Sequence, residues 1–97
     1  NISSIEVEKV LADHPAVAEA AIVAVPDAKW GEVPKAYVGL KPDCSATAEE
    51  LIAWCRQRLA HFKCPKHVEF GPLPRTATGK IRKNELRARD GKAGPGL

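Results

Sequence analysis

Ninety-seven residues, 28% charged and 44% apolar, suffice for one domain that should bury roughly 60 to 65% of its unfolded-chain surface, a modest core without a deep catalytic cleft. The formal charge of +3 is uneven: residues 75–92 hold seven basic side chains against two acidic, a local +5 that leaves −2 for the remainder. That end suits phosphate, nucleic acid or an acidic protein face, and the sequence contains neither a signal-peptide pattern nor an apolar run long enough to cross a bilayer.

A helix is predicted from the outset, capped by Ser3, with Glu6 completing a capping box and Ile2 stapling onto Val7. A helix signal this close to Asn1 suggests part of a longer protein. The helix should reach about Asp13, burying Ile5, Val7, Val10 and Leu11, with Glu6, Glu8, Lys9 and Asp13 in water, until Pro15 stops it. His14, at the exit, is expected at the surface or in the cap. Val17–Val25 is apolar except for Glu19, as in a strand covered on both faces, and is expected to be central. Pro26–Glu32 reads as a turn leading to a second strand, Val33–Leu40, in a long-looped hairpin. Trp30 at its tip is expected to cover the local core, and Gly31 permits close approach of a ligand or another backbone.

Thr47, Ala48, Glu49 and Glu50 form a second capping box. The helix it opens has Leu51, Ile52, Cys55 and Leu59 at core spacing and Trp54 on the flank. Cys55 there is a small buried hydrophobe. A third strand follows, Lys66–Phe70, with Val68 and Phe70 on one face. Gly71, Pro72 and Pro74 then prevent regular structure until a short helical run, Lys83–Arg89, and a tail from Gly91 to Leu97. This order implies an α+β fold, a small three-stranded sheet packed with helices. Cys44, Cys55 and Cys64 are too irregularly spaced for a zinc site or a disulfide framework, so no metal site is expected and reduced, cytoplasmic thiols are the simplest reading.

The stretch most suited to chemistry is Pro74–Lys80. Gly79 supplies freedom at positive φ, so the Lys80 ammonium can point outward with the Thr76 and Thr78 hydroxyls beside it, toward an oxyanion. It is not a P-loop, which needs Gly where Pro74 stands and Ser or Thr where Ile81 stands. A solvated basic turn is the plain alternative. A nucleic-acid module is another, but readers of single strands interleave aromatics with basic residues, and residues 71–97 contain none. A free-standing interaction domain without catalysis is the third.

Four separated stretches decide among these. Asn1–Glu8, His14–Val17 with Pro26-Asp27 and Trp30–Glu32, Phe62–Pro65, and Leu73–Lys80 together resemble the C-terminal domain of the adenylate-forming enzymes, most of all an acyl-CoA synthetase. The resemblance divides the chain into that domain, residues 1–90, and a flexible tail, residues 91–97. It implies the mobile part of an AMP-forming acid–thiol ligase, inactive alone, whose own N-terminal adenylation domain binds ATP, Mg2+ and the acid. It also suggests a place in fatty acid metabolism.

Such a domain serves adenylation in one pose and transfer of the acyl group to a thiol in another. By resemblance Lys80 is the adenylation lysine, supported by Thr76, Thr78 and Gly79. Trp30 and Gly31 match positions near the pantetheine arm of CoA, and Phe62 an aromatic against its adenine. Cys64 stands where a close relative has Arg, so Lys63 or Lys66 takes over that phosphate contact. CoA is a better acceptor than a carrier protein. Lys80 is also a plausible acetylation target, and acetylation would erase its charge. Neither a nucleic-acid partner nor a membrane span is implied, and the acid is chosen by the other domain.

Overall fold

The computed structural model describes residues 4–93. Helix α1 (Ser4–Ala12) is followed by strands β1 (Val17–Asp27) and β2 (Gly31–Leu40), helix α2 (Ala48–Arg56), a 3-10 turn at His61–Lys63, strand β3 (His67–Phe70) and helix α3 (Lys83–Ala93). The class is α+β, as expected. The expected Ser3 cap and Ile2 staple lie outside the described residues. Helix α3 continues through Ala93, and residues 94–97 of the expected tail lie outside the described part.

β1 and β2 form an antiparallel hairpin paired from Val17↔Leu40 to Asp27↔Gly31, with a bulge between Val17 and Glu19. β3 joins the far side of β2 in parallel, from Lys35↔His67 to Val38↔Phe70. The order is therefore β1-β2-β3, and β1 is an edge strand, contrary to the expectation from its apolar run. The reason is that both faces of the sheet are covered. Alternate residues point to opposite faces: Val17, Ile22, Ala36 and Val38 pack with Val7 and Leu11 of α1 and Leu51 and Cys55 of α2. Ala21, Val23, Val25, Val33 and Tyr37 pack with Leu73 and Leu86. Apolar residues on both faces report two covering layers, not a neighbour on each side.

The open edge of β1 is blunted. Its Ile22 N–H donates to the Glu8 carboxylate at 2.8 Å, and Pro26 has no N–H to offer. Glu8 thus is not simply solvated: the Lys83 ammonium, at the start of α3, lies 2.6 Å from the same carboxylate oxygen, so one side chain joins α1, β1 and α3.

Two further expectations are corrected. Ile5 is 76% exposed, because the inward stripe of α1 is set by Val7 and Leu11, and a residue two places before Val7 is turned some 200° from it, at about 100° per residue. His14 is buried. Its Nδ1 accepts the Ala16 N–H at 3.1 Å, which leaves the proton on Nε2 to donate to Glu50 at 3.1 Å, and its ring meets Trp54 edge-on at 4.8 Å. Trp54 in turn donates from Nε1 to the Val10 carbonyl at 2.8 Å. Thr47 does cap α2, accepting the Glu50 N–H at 3.1 Å, while the Glu50 side chain turns to His14 rather than back to the cap.

Leu51→Ala is expected to cost about 2 to 5 kcal/mol of stability, and Ile5→Ala no more than about 0.5 kcal/mol. Urea unfolding monitored by circular dichroism measures both.

Candidate functional site

Between β3 and α3, residues 73–81 form a small closed loop. Leu73 and Ile81 pack into the cluster beneath α3; above them Arg75 and Ile81 form an antiparallel bridge. The Thr76 N–H donates to the Lys80 carbonyl at 2.7 Å, and the Gly79 N–H to the Thr76 carbonyl at 2.9 Å. Gly79 has φ +89°, the left-handed conformation its lack of a Cβ permits. The Thr76 hydroxyl accepts the Lys80 N–H at 3.2 Å and lies 2.9 Å from the Thr78 hydroxyl, so both threonines knit the turn together. The Lys80 side chain is exposed. Among the described residues its ammonium has no hydrogen bond or ion pair, and it borders an open depression with Thr76, Arg82, Lys83 and Glu85. Such a cation is free to meet an anion arriving from outside.

Trp30 and Gly31 occupy the opposite end of the sheet. Asp27 shapes the hairpin tip: its Oδ1 accepts the N–H groups of Lys29 at 2.8 Å and Trp30 at 2.9 Å. These bonds, Trp30's above all, hold the Asp27 carboxyl below its ordinary range. Their contribution to stability is therefore fully present above the ordinary carboxylate range and is lost as pH falls through the lowered value. Gly31 closes the turn with φ +83°. The connection is only three residues, 28–30, because the strands continue into the region expected as loop. Trp30 does not cover the core. It is 65% exposed, with the Lys29 ammonium 5.1 Å from its ring centroid.

The segment carrying Phe62 enters at this same end, since β3 runs parallel to β2 and the Lys66 N–H donates to the Pro34 carbonyl at 2.9 Å. Phe62, on the 3-10 turn, is 68% exposed. Lys63 is bound to Glu6 at 2.8 Å. Cys64 is buried, with its Sγ 3.7 Å from the Ala60 carbonyl, and so presents nothing outward. Lys66 is exposed.

The candidate residues thus form two groups. Glu19, which Arg75 of the lysine loop grips, and Asp27 at the hairpin tip lie eight residues apart on one strand, about 26 Å at the rise of an extended chain. Sequence reasoning missed Glu19 as the loop's anchor; its isolation in an apolar run was the available signal.

The family model for AMP-binding enzyme C-terminal domains matches residues 6–80. A 4-hydroxybutyrate–CoA ligase of Metallosphaera sedula is 54% identical over 89% of the chain, which spans 16% of that ligase. A peroxisomal acetate/butyrate–CoA ligase of Arabidopsis thaliana is 49% identical over 98% of the chain and 18% of its own length. A solved fatty acyl CoA synthetase of Mycobacterium tuberculosis superposes with a TM-score of 0.90 at 36% identity, covering 98% of this chain and 19% of that one. The chain therefore spans about a sixth of the curated relatives it matches. Among the described residues no helix is long and apolar enough to cross a membrane.

The three thiols are free and unequal. Burial pushes Cys55 up to about 11 from an ordinary 9.0 and raises Cys64 as well, whereas Cys44 is exposed. In native protein at pH 8, a disulfide reagent is expected to modify Cys44 quickly and the other two only on unfolding, as thiol counting over time will show. Stability should also fall as pH rises from 9 toward 11, because the unfolded Cys55 thiol ionises first.

Proposed function

Because this chain belongs to the family of AMP-binding enzyme C-terminal domains, we propose that it is the mobile C-terminal domain of an ATP-dependent, AMP-forming acid–CoA ligase and supplies cations to two successive steps. In the first, a carboxylate oxygen attacks the α-phosphorus of ATP and pyrophosphate leaves, giving an acyl-adenylate. In the second, the thiol of CoA adds to the acyl carbon and AMP leaves. Both steps take place against the larger preceding domain.

The observation that carries this reading is the placement of the two groups at opposite ends of one sheet. The loop holding Lys80 is tied to the Glu19 end, and Trp30, Gly31 and Phe62 lie at the Asp27 end. Two ends about 26 Å apart cannot both occupy one reaction centre, so a single centre meets them in turn as the domain rotates. During adenylation the Lys80 ammonium lies between carboxylate and α-phosphate, offsetting repulsion between anions and the charge that develops on the departing pyrophosphate. A preorganised cation of this kind contributes about 3 to 4 kcal/mol. Thr76, Thr78 and Gly79 support it by fixing the turn.

For thioester formation, Trp30 and the open space above Gly31 flank the pantetheine arm, and the exposed Phe62 face receives the adenine. Lys66 is better placed than Lys63 to meet a CoA phosphate, since Lys63 is engaged by Glu6. The depression at Lys80 has one carboxylate, Glu85, among three cations. That donor set does not fit Mg2+, which prefers oxygen ligands in an octahedron, and no step here is assigned to the metal.

The relatives are named for different acids, and one of them is peroxisomal. The acid activated and the compartment, including the cytoplasmic and fatty-acid expectations, therefore belong to the longer enzyme.

In the full-length ligase, Lys80→Ala is expected to slow acid-dependent pyrophosphate exchange on the order of 100- to 1000-fold while thioester formation from supplied acyl-adenylate persists. Trp30→Ala and Phe62→Ala should raise the KM for CoA and leave exchange intact. Equal loss of both half-reactions in Lys80→Ala would refute the assignment.

A further inference from the structure

Glu19 is the single acidic residue in the run Val17–Val25, and it sits beside the bulge in β1. A partly buried carboxylate in a strand covered on both faces needs a partner. That partner is Arg75, 56 residues further on. Its guanidinium spans two acceptors: Nη2 donates to Glu19 Oε1 and Nη1 to the backbone carbonyl of Gly79 at 2.6 Å. Gly79 directly precedes Lys80. Because the guanidinium is planar and rigid, it fixes the tip of the loop relative to β1.

The residue opposite Glu19 on β2 is Gly39. A Cβ at Gly39 would lie 2.9 Å from both Cγ and Oε2 of Glu19. Gly39 is not among the residues with positive φ, so its backbone does not require glycine. Its missing side chain instead leaves the path along which the Glu19 carboxylate reaches Arg75.

We infer that Gly39, Glu19 and Arg75 form a positioning relay that aims the Lys80 ammonium for adenylation, an inference that rests on the adenylation role proposed for Lys80. Leu73 and Ile81 fix where the loop leaves the core, and the turn's own hydrogen bonds fix its shape. Neither sets its tilt against the sheet. The Arg75 bridge does, and a reacting group displaced by about 1 Å can lose 100-fold in rate.

Three variants of the full-length ligase test the relay. Glu19→Gln removes the charge at constant size, Arg75→Lys keeps a charge that cannot reach both acceptors at once, and Gly39→Ala displaces the Glu19 carboxylate without altering either partner. Each is expected to lower the kcat of pyrophosphate exchange roughly 10- to 100-fold while thioester formation from supplied acyl-adenylate and CoA stays within about 2-fold. The Glu19→Gln/Arg75→Lys double variant should be no slower than the slower single one. Exchange at full rate in Glu19→Gln and Gly39→Ala, in a ligase where Lys80→Ala abolishes it, would overturn the relay alone. So would equal loss of both half-reactions with a lowered Tm, which marks a merely structural tie. Full exchange in Lys80→Ala would instead overturn the underlying adenylation role.

Discussion

An antiparallel hairpin packed on both faces is the constraint on which the rest of this domain depends. With α1 and α2 on one side of β1 and β2 and α3 on the other, the two strands cannot bend or slip without exposing one of two apolar layers. A one-residue slip would exchange the faces. The hairpin is therefore a stiff spacer whose two ends hold their separation, and each end carries a different set of exposed side chains.

Glutamates tie the elements of this domain together, two of them, Glu8 and Glu19, partly buried against this spacer. Glu8 joins α1 to the edge of β1 and the start of α3, Glu50 joins α2 to His14 beyond α1, and Glu19 holds the lysine loop. A carboxylate partly removed from water, as in Glu8 and Glu19, must be compensated, so those two ties have geometric consequences larger than their net contribution to stability, as paired charges generally do. A single polar defect in an apolar run is thus a sign that something distant is being held.

Cations divide by the same logic. Lys83 and Lys63 are neutralised by glutamates of α1, and Arg75 is spent on the loop itself. Lys80 stands apart among the described residues as an exposed ammonium on a closed, internally bonded turn. The hydrogen bonds of the turn fix the backbone that carries this side chain.

Element types, the Thr47 cap, the two-faced burial of β1 and the presence of Lys80 on a glycine-bearing loop were all legible in the sequence. Each depends on residues within a turn or two of one another, through periodicity, capping and backbone preference. The edge position of β1, the exposure of Ile5 and Trp30, the burial of His14 and the anchoring of the lysine loop were decided only by the tertiary structure. They depend on partners 36 residues apart for His14 and Glu50 and 56 apart for Glu19 and Arg75. Those distances in sequence become contacts only after the sheet has chosen its order, and no local pattern encodes which strand lies at the edge.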